Sequence, residues 1–383
     1  MKKYVCISGF NVKQANRGNA ALSYGAVSFL LVKGLLHEGQ ELVLFSPWKN
    51  IFRKKNYKIK KEAFKVQGKE WVLHTVPISF IEILLMKLGI SLPFTKAWSY
   101  IVQTEFEAAD YGGDGMTDIY GDALFIRRFR QTRILWQKKV PLIMLPMTIG
   151  PFIKTQNKLL AEKVIRYASK VYVRDNNYVS ELERMGITYE REKDLSAYMQ
   201  PEPWDVHIEK NAVGINVSGL AYSNHFGNLA GQFGTYPNLI NALIRHFTAK
   251  GMHVYLIPHS YRYGNPEMDN DDMVACKAIY RNIDDKTYVH FVDKDLTSPQ
   301  VKFVISQMKF FIGTRMHANF AAIYTHVPVF GLAYSYKFKG AFDANGLNGE
   351  LQTHMINGMK EEDIPLLVQK IDQVYKRLTI YEN

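Results

Sequence analysis

The chain has 383 residues, 47% of them hydrophobic, with a formal net charge of +12 and two cysteines. That length and apolar content suffice for two domains, each able to bury its own core. Cys6 and Cys276 stand far apart with no second ligand at metal-like spacing, which argues against a disulfide framework or a zinc site and for a reducing compartment. The positive charge points to an acidic partner, whether nucleic acid, an anionic membrane or a phosphorylated substrate, and does not choose among them.

From the N-terminus, Tyr4 to Ile7 reads as a strand, Gly9 to Asn19 as a glycine-containing turn and Ala20 to Leu36 as a helix, followed by a strand at Glu41-Leu-Val-Leu-Phe45. The first apolar run is too short for a signal peptide. Asn16-Arg-Gly-Asn-Ala-Ala21 opens the first helix, a natural place for a phosphate or carboxylate, although Asn19 also suits a plain N-cap. The segment 49–69 is strongly basic and runs into the amphipathic stretch 78–94. That pair reads either as an interfacial membrane anchor or as a solvated basic loop leading into a core helix. No stretch reaches the roughly 18 uncharged apolar residues of a spanning helix, so a soluble or peripheral protein is expected.

Asp110-Tyr-Gly-Gly-Asp-Gly-Met-Thr-Asp-Ile-Tyr-Gly121 combines glycines, which let backbone approach a ligand, with Asp114 and Asp118, which suit hydroxyl orientation, base chemistry or turn capping. It matches neither a Walker loop nor a dinucleotide fingerprint. Short β-rich runs follow at Pro141–Leu145, Val171–Val173, Ala212–Val217, Val254–Ile257, Val289–Val292, Phe310–Ile312 and Val327–Leu332, separated by helix-like segments. Such alternation predicts an α/β protein with parallel sheets. Two prolines in Met199-Gln-Pro-Glu-Pro-Trp-Asp205 mark a break, giving predicted domains over 1–198 and 206–360, with a helix in 361–383 that packs on either. Arg174 and His259 fall just past strand ends, where α/β folds collect functional residues. Asp269-Asn-Asp-Asp272 suits either a divalent cation or the cap of the next helix. In Phe310-Phe-Ile-Gly-Thr-Arg-Met-His317 a strand runs into a helix start bearing Arg315 and His317. An arginine there can grip phosphate or carboxylate and a histidine can exchange protons, unless the one is a surface residue and the other a satisfied core group.

Together these pieces resemble the polysaccharide pyruvyltransferase family, in order along nearly the whole chain. The matching segments are Asn16-Arg-Gly-Asn-Ala-Ala-Leu22, Gly112-Gly-Asp-Gly-Met-Thr-Asp118, Thr148-Ile-Gly-Pro-Phe152, Val173-Arg-Asp175, Ile257-Pro-His259 with Asp271-Asp272, Gly313-Thr-Arg-Met-His317, and Val327 to Lys337 ending in Tyr-Ser-x-Lys. The resemblance implies two Rossmann-like domains in a GT-B-like fold, with phosphoenolpyruvate bound in the interdomain cleft. It implies His317 and Asp118 as catalytic groups, and Arg315, Met316 and Arg174 as substrate-binding. The matched positions Asn16, Gly18, Gly113, His259 and Lys337 are expected to contact substrate as well. Two positions depart from the pattern: many relatives carry an acid where Asn19 stands and a third glycine where Asp114 stands.

The implied reaction moves pyruvate from phosphoenolpyruvate to a sugar of a bacterial surface or capsular polysaccharide precursor, forming a ketal with neither metal nor cofactor. The implied acceptor is a lipid-linked oligosaccharide or growing glycan at the cytoplasmic side, with peripheral membrane contact through 49–69 and 78–94. The competing readings are a GT-B glycosyltransferase using a nucleotide sugar and a non-catalytic glycan-binding protein. No helix-turn-helix, RRM or KH pattern accompanies the lysines, so nucleic acid is not an expected partner.

Overall fold

A computed structural model describes residues 2–48, 57–90 and 92–379. The part of the basic segment that spans 49–56, and Ser91 in the amphipathic stretch, lie outside the described residues. By its contacts the chain divides into two compact units, one formed by the chain up to Asn11 with Leu22–Met199, the other by Val12–Ala21 with the chain from Gln200. The division between Met199 and Gln200 lies within the two-proline stretch 199–205. The segment Val12–Ala21, assigned to the first domain by its place in sequence, belongs instead to the second unit, because its backbone is tied there by Arg17 N–H to the His259 carbonyl (2.9 Å) and Tyr261 N–H to the Ala15 carbonyl (3.1 Å).

The first unit holds strands β1 (Tyr4–Ser8), β2 (Glu41–Trp48), β3 (Lys60–Val66), β4 (Lys69–Ser79), β5 (Thr104–Ala109), β6 (Leu142–Met147), β7 (Ala168–Val173) and β8 (Glu190–Arg191). Among the described residues they form one sheet in the order β3-β4-β2-β1-β5-β6-β7-β8, parallel except for β3, which pairs antiparallel with β4 at the edge. The second unit holds β9 (Ala212–Asn216), β10 (His253–Leu256), β11 (Val289–Phe291), β12 (Phe310–Gly313), β13 (Val329–Ala333) and β14 (Thr353–Met355), all parallel in the order β11-β10-β9-β12-β13-β14. Central strands such as β1, β9 and β13 are buried at every residue, as strands covered by helices on both faces must be.

In each sheet the winding reverses beside its first strand, between β1 and β5 and between β9 and β12. Loops leaving the carboxyl ends of those strands are splayed apart there, which makes a crevice for ligands in doubly wound folds. The motifs with chemistry sit at these two points: Asp110–Gly113 directly after β5, and Thr314–His317 directly after β12.

The cores follow from helical spacing. The helix Tyr236–Thr248 buries Tyr236, Leu239, Ile240, Leu243, Ile244 and Phe247 along one stripe. The last helix, Ile364–Thr379, packs Ile364, Leu367, Ile371 and Val374 into the same cluster, with Tyr375 edge-on to Phe247 at 5.7 Å between ring centroids. That helix therefore belongs to the second unit. Each such fully buried aliphatic or aromatic side chain contributes about 1.5–3 kcal/mol.

Candidate active site

In the second unit, β12 ends at Gly313 and the helix Met316–Ile323 begins after Arg315. Asn319 locks this turn, its Nδ2 donating to the carbonyls of Gly313 (3.0 Å) and Arg315 (3.1 Å). The Arg315 N–H donates to Asn216 Oδ1 at the end of β9 (2.8 Å), fastening the two loops of the crevice to each other. The Arg315 guanidinium is buried and donates through Nε and Nη2 to Asp272 Oδ1 (3.1 and 2.6 Å) and through Nη2 to Asn270 Oδ1 (2.7 Å). The expected bidentate grip on substrate is thus largely spent within the protein, leaving Nη1, which makes no hydrogen bond among the described residues.

Asp272 is the hub. Its Oδ1 also accepts Gly219 N–H (2.8 Å), and its Oδ2 accepts the N–H groups of His259 (3.0 Å) and Ser260 (2.9 Å). Asp271 caps the following helix, accepting Met273 and Val274 N–H groups at 3.0 and 3.2 Å. Of the two readings of the acidic cluster, its geometry supports the cap.

The segment Asn16–Gly18 lies against this hub. Asn16 and Ser260 form an antiparallel bridge, and Asn16 Oδ1 accepts Gly18 N–H (2.9 Å). Arg17, buried, donates to the Leu296 carbonyl (2.7 Å) and Asp295 (2.7 Å), and its guanidinium stacks 4.2 Å from the Tyr261 ring. Gly18 is required by proximity: a Cβ there would lie 2.6 Å from both Cβ and Nδ1 of His317. The His317 ring therefore rests directly on this backbone, with Phe320 edge-on at 5.6 Å on its own helix. Neither the helix Arg17–Val32 nor the helix Met316–Ile323 carries an acid in its first turn, although in the first of them the N–H groups of Arg17 and Gly18 are already taken by the His259 carbonyl and Asn16 Oδ1.

His259 is buried, and its Nδ1 has no hydrogen-bond partner among the described residues. Burial first, then the charges of His317, Arg315 and Arg17, hold its pKa well below the usual histidine value, so it stays neutral. Met316 is half-buried and packs against the second unit's core, while Lys337 is exposed at the start of the helix Lys337–Ala344.

In the first unit, Asp110 is buried after β5 and its Oδ1 accepts Gly112 N–H (2.8 Å) and Gly113 N–H (3.1 Å). Burial pushes its pKa up to about 6, against the lowering effect of those two bonds. Gly113 has a left-handed backbone (φ 69°), and a Cβ there would lie 3.1 Å from Arg174 Nη1. Arg174 donates through Nε to Thr148 Oγ1 (2.9 Å) and through Nη1 to Asp194 (2.5 Å), with Asp175 at 3.7 Å. Asp194 and Asp175 keep the guanidinium charged despite its burial.

Asp118 has a different task from the one expected of a catalytic base. Its buried carboxylate accepts Ile153 N–H (2.7 Å), Lys154 N–H (2.9 Å) and Asn157 Nδ2 (2.9 Å), which ties down the chain entering the helix Thr155–Tyr167. Burial alone would raise its pKa, yet these hydrogen bonds together lower it. Three of its roughly four acceptor sites are taken by backbone and amide donors. Among the described residues, no cluster of three or more metal-ligating side chains occurs.

A family model described as polysaccharide pyruvyl transferase matches residues 16–336. The chain belongs to that family. Membership assigns the polysaccharide pyruvyl transferase class of reaction, and the matched span takes in both crevice loops. Two solved structures give the fold independently. The UDP-GlcNAc 2-epimerase from Neisseria meningitidis, solved bound to UDP-GlcNAc, is 10% identical with a TM-score of 0.50, over 98% of this chain and 94% of that one. The UDP-GlcNAc 2-epimerase from Methanocaldococcus jannaschii is 8% identical with a TM-score of 0.53, over 99% of this chain and 93% of that one. Likeness at this level establishes a mixed α/β, GT-B-like fold with two parallel-sheet domains.

Several residues that hold these loops within each unit of the pyruvyl transferase were not singled out in the sequence. Asn216 is the last residue but one of a predicted strand, a position that could have flagged it. Asp194 and Asp295 carry no local signal, since each matters only through an arginine brought to it by folding.

Proposed function

We propose that the protein transfers the pyruvyl unit of phosphoenolpyruvate to a sugar of a lipid-linked or growing surface glycan in the cytoplasm, forming a pyruvate ketal, with His317 as the general acid. The observation that carries this reading is the His317 ring seated on Gly18 between two helix starts that lack first-turn acids. Backbone N–H groups at such starts favour a phosphate or carboxylate.

The reaction needs a proton on the enol methylene, capture of C2 by one sugar hydroxyl, departure of phosphate and capture by a second hydroxyl. The two hydroxyl protons replace the one given to the methylene and leave with phosphate, so the acid is regenerated. Arg315 is matched by Asp272 and Arg17 by Asp295, so the fixed charges nearly cancel. An arriving anion is then met by the helix starts, by Arg315 Nη1 and by a protonated His317, and anions favour the charged form of a neighbouring imidazole. Neutral His259 does not compete for that proton. General acid catalysis of this kind is worth about 10²–10⁴ in rate. At the carboxyl edge of the first unit's sheet, Arg174 is the group proposed to bind a substrate anion, held in orientation by Thr148 and Asp194.

The test supplies purified protein with phosphoenolpyruvate and a panel of galactose-, glucose- and N-acetylmannosamine-terminated acceptors, and follows phosphate release together with pyruvate mass on the sugar. Both appear together if the reading is right. The fold likeness to nucleotide-sugar epimerases keeps one rival alive. No transfer, with thermal stabilisation by a nucleotide sugar and none by phosphoenolpyruvate, assigns the protein to that chemistry instead.

A further inference from the structure

The helix Phe80–Lys87 is amphipathic the wrong way round for a core helix. Its only buried residue is Met86, while Phe80 (58% exposed), Ile81, Leu84 and Leu88 (68%) follow one another at helical spacing on the solvent side. Ile90 and Phe94 (83%), just beyond, are exposed too. This density is unlike the singly scattered apolar residues of an ordinary surface.

The helix is held rigidly at the carboxyl end of β4 by a reciprocal cap. Ser79 Oγ accepts Glu82 N–H (3.0 Å) and Glu82 Oε2 accepts Ser79 N–H (2.6 Å). That arrangement engages one oxygen of the helix's own carboxylate. Exposed lysines flank the stripe along the chain: Lys87 and Lys96 stand on either side of Ile90 in sequence, and Lys61, on the sheet face that the helix covers, pairs in register with His74, while Lys60 beside it points to the other face. Lys58 precedes them and Glu62 is the exposed acid among them.

We propose that this face docks on a bilayer surface containing anionic phospholipid, the apolar stripe entering the headgroup boundary and the lysines meeting lipid phosphates. Charge favours this occupant over a second copy of the chain, because a two-fold interface would set like-charged lysine clusters against each other. No helix among the described residues is long and apolar enough to cross a membrane, so the contact is peripheral. The inference stands independently of the reaction proposed above.

Flotation with phosphatidylcholine vesicles, with and without phosphatidylglycerol, tests it. The protein floats with the anionic vesicles, and added salt weakens this. The variant Phe80→Ser/Leu84→Ser/Leu88→Ser loses at least about tenfold in partitioning. Lys61→Glu/Lys87→Glu loses at least about fivefold per lysine on anionic vesicles only. Circular dichroism and the melting temperature stay unchanged, since all five side chains are exposed. Absence of binding to anionic vesicles, or equal binding by the triple serine variant, overturns the proposal. So does a concentration-dependent dimer, seen by light scattering, that the serine variant abolishes.

Discussion

Gly18→Ala isolates the seating of His317 without touching any group that performs chemistry. The added methyl would lie 2.6 Å from Cβ and Nδ1 of His317 and 2.7 Å from Cγ, where ordinary contacts begin at 3.4 Å. The imidazole, or the first turn of the helix Arg17–Val32, must therefore move by nearly an ångström. Overpacking of this kind costs about 1–3 kcal/mol. Alanine recovers up to about 1 kcal/mol over glycine inside a helix, so the net loss of stability is about 0–2 kcal/mol. Turnover should suffer more, because an ångström of misplacement of a catalytic group costs about 10²-fold. The assay is steady-state pyruvyl transfer paired with urea unfolding of the same preparation. A variant with full turnover would refute the claim that the position of His317 against Gly18 matters.

Other outcomes follow from the same structure. Asp272→Ala strands the buried Arg315 and the N–H groups of Gly219, His259 and Ser260, and should cost about 3–5 kcal/mol in urea unfolding; a loss below about 1 kcal/mol would contradict the hub assignment. Asp118→Ala should lower stability by about 1–2 kcal/mol, as expected for loss of a helix-entry cap. Abolished turnover with unchanged stability would restore it as a catalytic group. Glu107, buried on β5 beside Ser8 and Thr132, has its pKa raised by burial to about 7. Between its ordinary value of 4.5 and about 7 the folded state holds a proton that the unfolded state has released. Its contribution is therefore complete below 4.5 and lost as pH rises through 7, at about 1.4 kcal/mol per pH unit. Urea unfolding of wild type and Glu107→Gln at pH 5, 6 and 7 should differ in slope by about one proton, and identical slopes would show that Glu107 is not the group responsible.

The strand-turn-helix unit after β12 was legible because apolar β-rich runs meet helical spacing at a glycine, and the unit carries Arg315 and His317 with it. Strand β5 was not, because Glu105 and Glu107 interrupt its apolar run, and the burial that tolerates Glu107 is a tertiary fact. Strand β3 was hidden for the opposite reason: its lysines read as a loop, although charge on an edge strand is how sheets discourage further pairing. The helix after β4 looked either like a core helix or like an anchor, and its exposure argues against the core helix. Asp118 shows the limit for sites. An aspartate in a glycine-rich stretch looks the same in sequence whether it caps a helix or takes a proton, and its three donors from residues 153–157 favour the cap.

The most direct test of the account compares wild type with His317→Ala in donor affinity and turnover, using calorimetric titration of phosphoenolpyruvate beside the transfer assay, with Arg315→Ala as reference. The account predicts a loss of about 10²–10⁴ in turnover for His317→Ala with donor binding largely kept, whereas Arg315→Ala raises the KM for the donor as well. Unchanged turnover in His317→Ala would contradict it.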